Sequence, residues 1–174
     1  MDSDLIPVSI DSIRVSLVSP HRIVVLKDTD ERYLPIWIGP FEADAISIAL
    51  QGNQVARPLT HDLLKTVIRE AGGTLSHIAV TELRDDTFYA QIIMQMNDKR
   101  VELDSRPSDA IALAVRLQIP IYVAEDVMDK ASIRPSQSTE SAPEEDEKLD
   151  AFRDLIEDLD LDGLDKSGDS PKEE

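Results

Sequence analysis

Within six residues, Asp104 and Asp109 stand on either side of Arg106, and an Arg-Pro step, Arg106-Pro107, leads into Ser108-Asp109. The same step occurs at Arg57-Pro58, ahead of Thr60-His61-Asp62. These are the side chains that hydrolysis of a phosphodiester requires. Carboxylates ligate Mg2+ or Mn2+ through oxygen, which makes Asp104 and Asp109 a candidate metal pair. Arginine offers a planar fork for two phosphate oxygens, a role open to Arg57 and Arg106. Histidine, with an imidazole that ordinarily titrates near 6.5, can move the proton of an attacking water or a leaving oxygen, and His61 is the candidate. Glu42 and Asp62 are further carboxylates for acid–base work. A plainer arrangement uses the same residues: each arginine pairs with a neighbouring acid, and each Asp complements a helix dipole, worth about 0.3–1 kcal/mol. No H-E-x-x-H or Walker string is present, so at this level both arrangements stand.

The segments that must position these residues alternate between strand and helix patterns. Val8, Ile10, Ile13, Val15 and Leu17 alternate with polar residues in two phases, predicting a long strand with a bulge at Asp11-Ser12. Strands follow at Ile23–Lys27 and Tyr33–Ile38, the second placed at a sheet edge by its internal Pro35. A helix is predicted from Phe41 to Gln51, before Gly52-Asn53. A second begins with Thr60 as N-cap and Leu59 and Leu64 as a hydrophobic staple, with Leu64, Val67, Ile68 and Ala71 as its buried face. Leu75–Leu83, Phe88–Met96 and Val101–Leu103, separated by polar turns, form an antiparallel meander. A helix from about Pro107 to Gln118 and a strand from Pro120 to Ala124 complete the pattern. The fold class is α+β: a single compact domain with a mixed or antiparallel sheet and about three packed helices, followed by an acidic C-terminal tail.

The domain boundary is expected at residue 134. Residues 135–143 read as a Ser/Pro linker, and residues 144–174 as an acidic tail with one amphipathic helix carrying Leu149, Phe152, Ile156 and Leu159. The net charge of −17 is uneven: residues 1–134 hold 14 Lys and Arg against 20 Asp and Glu, residues 135–174 hold 4 against 15. A nucleic-acid binder that relies on phosphate contacts shows a basic footprint, which these totals lack. Charge is screened over about 8 Å in physiological salt, so a local arginine cluster or a divalent cation can still hold a phosphate. Cysteine is absent, which excludes thiol catalysis, disulfide scaffolding and cysteine-based zinc sites and fits a reducing cytoplasm. No secretory leader opens the chain and no run of about 18 apolar residues occurs, so no membrane span is expected.

Four strings in order carry a family resemblance: Leu34-Pro35-Ile36-Trp37-Ile38-Gly39 with Glu42-Ala43, Arg57-Pro58-Leu59-Thr60-His61-Asp62-Leu63, Arg106-Pro107-Ser108-Asp109-Ala110-Ile111-Ala112-Leu113-Ala114, and Pro120-Ile121-Tyr122-Val123. Over about residues 5–134 the chain resembles the bifunctional nuclease domain family. The resemblance implies a self-associating α+β domain with nuclease activity on RNA and DNA. The family's charged positions fall on Glu42, Arg57, His61, Asp62, Asp104, Arg106 and Asp109. The expectation is a cytoplasmic, homo-oligomeric nuclease of low sequence specificity, assisted by Mg2+ or Mn2+ through Asp104 and Asp109. Nucleic acid is its substrate, and residues 144–164 are open to a protein partner. The alternative is a non-catalytic regulatory or ligand-binding module built on the same charged cleft.

Overall fold

The computed structural model describes residues 4–15, 22–53 and 55–134, which belong to one compact unit. The predicted linker, tail helix and domain boundary lie outside the described residues, as does the predicted continuation of the first strand to Leu17.

Seven strands form one mixed sheet: β1 (Leu5–Val15), β2 (Arg22–Lys27), β3 (Tyr33–Ile38), β4 (Gly73–Arg84), β5 (Thr87–Met96), β6 (Lys99–Ser105) and β7 (Ile121–Ala124). The spatial order is β3-β2-β1-β7-β4-β5-β6, and among these pairs only β4 and β7 run parallel. Pro35 sits in β3, at the edge where its missing N–H costs no ladder bond. The register of β1 on β2 slips between Ile10 and Ser12, the bulge that the change of phase predicts. Both meander turns have two central residues at positive φ, Asp85-Asp86 (48° and 57°) and Asn97-Asp98 (50° and 60°). Asp and Asn tolerate that backbone, and such turns match the twist of antiparallel strands.

The helices are α1 (Pro40–Leu50), α2 (Thr60–Glu70), α3 (Pro107–Leu117) and α4 (Glu125–Ala131). α3 is the central one: Ala110, Ile111, Ala112, Leu113 and Ala114 are all buried in one core with Val24, Leu34, Ile36, Ile46, Ile78, Val80 and Ile92. Its alanines allow close approach to α1 and the sheet, and Gln118 in a left-handed conformation (φ 54°) ends it. α4, absent from the sequence-based expectation of about three helices, is seven residues long and buries Val127 and Met128. So short a segment shows less than two turns of periodicity, and it is held by tertiary contacts instead. Arg32 donates to Asp28 at 2.6 Å, to Glu125 at 2.9 Å and to Asp129 at 3.2 Å, tying α4 to the β2–β3 turn.

The expectation for α2 requires correction. Its N-cap is Leu59, Thr60 is already helical, and Leu63, Leu64 and Val67 are exposed at 59%, 39% and 54%, while the buried residues are His61 and Ile68. The anchor at this entrance is polar: the Leu59 N–H donates to the Asp62 carboxylate at 2.9 Å. The apolar stripe faces outward and the histidine faces in.

Candidate functional site

α1, α2 and α3 each carry an acid at the third helical position: Glu42, Asp62 and Asp109. An acid there complements the helix dipole and the free N–H groups of the first turn. Pro40 and Pro107 occupy the first positions of α1 and α3, where a missing N–H costs nothing. Local chemistry therefore accounts for each entrance separately. The fold adds their convergence: the starts of all three helices line one cleft of about 590 Å3, which includes Phe41, Glu42, Asp44, Leu59, Thr60, His61, Arg106 and Asp109.

Arg106, the N-cap of α3, lies at the centre of the charged network. Its Nε donates to Asp109 Oδ2 at 2.7 Å, a terminal nitrogen donates to Asp109 Oδ1 at 3.2 Å, and the other donates to Glu42 Oε1 at 2.8 Å. Among the described residues these bonds use three of the five guanidinium N–H groups, leaving one on each terminal nitrogen of a side chain that is 65% exposed. Glu42 folds back over Gly39, where an added Cβ would meet its carboxylate, so a side chain at that position would require the Glu42 carboxylate to move.

His61 Nε2 lies 3.1 Å from Asp109 Oδ1. Burial alone would raise the Asp109 carboxyl, but the Arg106 guanidinium and then His61 outweigh it and hold the group below the ordinary Asp value of 3.8. An ionised carboxylate only accepts, so Nε2 carries the proton and donates it to Asp109. In neutral imidazole the basic lone pair then resides on Nδ1, beside a ring oriented by a carboxylate.

Asp62 faces the other way. It accepts from Arg116 Nε at 2.8 Å, and Arg116 also donates to Ala45 O at 3.0 Å and Ala112 O at 2.9 Å. The Arg116 side chain is 5% exposed, so this guanidinium joins α1, α2 and α3 from within and fixes where His61, Glu42 and Asp109 meet. Sequence reasoning missed Arg116; its signal was a lone basic residue on the last turn of an otherwise small, apolar helix. Arg57 is exposed and lines a neighbouring cleft with Asp62 and Arg116. Asp104 is exposed in β6, opposite Gln91 of β5, and lines neither cleft. The structure thus brings together Glu42, His61, Arg106 and Asp109, and sets Asp62, Arg57 and Asp104 apart from them.

The metal expectation meets this geometry directly. Both oxygens of Asp109 and Oε1 of Glu42 are engaged by Arg106 and His61, and no group of three His, Asp or Glu among the described residues is placed to hold an ion. In this arrangement the guanidinium occupies the position between carboxylates that a cation would take. The guanidinium takes up these carboxylate oxygens, and no chemical step is derived through a metal.

Asp28 and Asp62 are also held below 3.8: burial opposes this, but the Arg32 backbone N–H and guanidinium prevail at Asp28, and the Leu59 N–H and Arg116 prevail at Asp62. For a carboxyl depressed by folding, the stabilisation is complete above the unfolded value and is lost as pH falls through the folded one. The thermal midpoint should stay level from neutral pH towards 3.8 and fall below it, less steeply in Asp28→Asn. A steep decline already between about pH 7 and 5 would contradict the assignment.

A mixed α+β sheet whose helices present an Arg-centred ring of acids and a histidine at one cleft defines the class. Residues 24–136 match the family model of the bifunctional nuclease domain, and the chain belongs to that family. An uncharacterised protein of Mycobacterium tuberculosis is 38% identical over 156 residues, covering 86% of this chain and 93% of that protein. Bifunctional nuclease 1 of Arabidopsis thaliana is 32% identical over 110 residues (60% of this chain, 34% of the relative). Bifunctional nuclease 1 of Oryza sativa subsp. japonica is 26% identical over 134 residues (74% and 40%). The chain thus spans little more than a third of these plant relatives.

Proposed function

We propose that the protein is a nuclease that hydrolyses phosphodiester bonds of RNA and DNA at the Glu42–His61–Arg106–Asp109 cleft. The observation that carries this is the convergence of a part-buried His–Asp pair, an exposed arginine and Glu42, drawn from three helix entrances, in a chain of the bifunctional nuclease domain family. Arg106 holds the non-bridging oxygens through its two remaining N–H groups and offsets charge as the phosphorus becomes five-coordinate. The entrances of α1, α2 and α3 add partial positive charge, which bears on how a chain of net charge −17 receives a phosphate. His61, oriented by Asp109, takes a proton from the attacking water as its oxygen bonds to phosphorus; the P–O ester bond breaks, the leaving oxygen takes a proton from solvent, and His61 returns its proton to solvent. Glu42 keeps Arg106 extended across the cleft. A cytoplasmic, self-associating protein belongs to the same proposal, supported by the absence of cysteine and by the exposed Leu63 and Val67 on α2. Among the described residues, no helix is long and apolar enough to cross a membrane.

The test incubates the full chain with labelled RNA and DNA in Mg2+, in Mn2+ and in EDTA. His61→Gln keeps a donor towards Asp109 but has no titrating nitrogen, and its kcat should fall at least about 100-fold with the thermal midpoint nearly unchanged. Parent-level cleavage by this variant would remove His61 from the chemistry. A second reading, a non-catalytic ligand-binding or regulatory module, is favoured by one observation: Arg106 is already paired with two acids that pin α1 to α3. It predicts retention of nucleic acid with no product in any of the three conditions.

A further inference from the structure

Phe41 is the second residue of α1, next to Glu42, and at 83% it is the most exposed large apolar side chain among the described residues. It lines the same cleft as His61, Arg106 and Asp109. Trp37, the chain's only tryptophan, is 60% exposed and lines an adjoining cleft on which Arg106 also borders. The chain has only seven aromatic residues by its counts of one Trp, three Tyr and three Phe, and the two most exposed among the described residues flank the arginine at the centre of the site.

An exposed Phe contributes little to folding, and a helix entrance is ordinarily a polar position. A ring beside a phosphate-holding arginine does suit one task, offering a flat apolar face to a nucleobase. In a duplex the base faces are stacked on one another and hidden; in a single strand they can be splayed onto an aromatic side chain. Charge points the same way. Residues 1–134 carry net −6, and the cleft sets Glu42, Asp44 and Asp109 against Arg106, so a duplex held by many phosphate contacts finds few here. Affinity has to come from stacking together with a small number of phosphate contacts.

We infer that the cleft selects single-stranded nucleic acid, stacking a base on Phe41 and seating the adjoining phosphate on Arg106. The inference rests on the nuclease reading above and names its substrate class. Phe41 is a binding residue for the strand, outside the proton transfer.

The experiment compares a labelled single-stranded oligonucleotide with the same strand annealed to its complement, using the full chain and its Phe41→Ala and Phe41→Tyr variants. The parent should cut the single strand at least about tenfold faster than the duplex. Phe41→Ala should raise KM for the single strand about tenfold with kcat little changed, and Phe41→Tyr should restore it. The log of affinity should fall with the log of salt at a slope of about −1.4 or shallower, as for one or two phosphate contacts on a single strand. Equal cutting of both forms by the parent overturns the inference and leaves the nuclease reading intact. An unchanged KM in Phe41→Ala also overturns it, including the case where that variant loses only an oligomeric state, since Phe41 would then be a subunit contact. If neither form is cut, the nuclease reading fails. Anisotropy of the labelled strands, together with the emission of Trp37, then decides the selectivity: single-strand preference dependent on Phe41 supports the inference, and equal binding overturns it.

Discussion

Replacing Arg106 with alanine is expected to lower kcat/KM for nucleic-acid cleavage by about 100- to 1,000-fold, the range found when one preorganised donor to a transition state is removed. Two effects act together. The cleft loses the exposed N–H groups proposed to meet the phosphate, and the Glu42 and Asp109 carboxylates, each 2.7–2.8 Å from a guanidinium nitrogen, are left facing one another with no cation between them. The site then repels the anion it is meant to receive. Arg106→Lys should recover only part of the loss, because an ammonium restores one charge but cannot reach Glu42 and both oxygens of Asp109 in a single planar fork. Steady-state kinetics on both variants, with thermal midpoints alongside, separate the two readings of this residue. A lowered midpoint with kcat/KM unchanged would make Arg106 a lock between α1 and α3 and no more.

The second large effect is on stability. Arg116→Met keeps the apolar stem but removes the guanidinium from one Asp62 oxygen and from the Ala45 and Ala112 carbonyls, which keep only their helical N–H partners, in surroundings where the arginine side chain is 5% exposed. Each lost bond to a buried acceptor costs about 1 kcal/mol or more, and Asp62, a third exposed, recovers part of its share from water. A loss of about 3 kcal/mol is expected, or roughly 10 °C in the thermal midpoint for a domain of this size. Urea unfolding measures it directly. A loss below about 1 kcal/mol would show that packing among α1, α2 and α3, and not this guanidinium, sets how the helix entrances meet.

The elements with strong local signals were legible. The bulge in β1, Pro35 at the edge, the β4–β5–β6 meander and the start of α3 at Pro107 all follow from period-two patterning, proline geometry and turn chemistry, which act over a few residues. α2 misled for a physical reason. Its expected buried face of Leu64, Val67, Ile68 and Ala71 holds only at Ile68, because a helix turns whichever side its strongest tertiary bonds require, and here the Asp62–Arg116 and His61–Asp109 pairs turn the polar side inward. α4 was too short for its pattern to register, and the insertion of β7 beside β4 is a non-local pairing that no window of sequence contains.

For the candidate site the division is sharper. Residue types, the two Arg-Pro steps and the acid near each helix entrance were determined by the sequence itself, because capping and dipole effects are properties of one turn of helix. Tertiary structure decided which of them share a cleft. Arg106, only three residues from Asp109, reaches across 64 positions in the chain to Glu42, and His61 reaches across 48 to Asp109, whereas Asp104, two residues from Arg106, points to a sheet position outside that cleft. Nearness along the chain says little here, since a strand reverses side-chain direction at every residue and a helix entrance redirects the chain. Only packing the three helices against one another on the sheet brings their charges within hydrogen-bond distance.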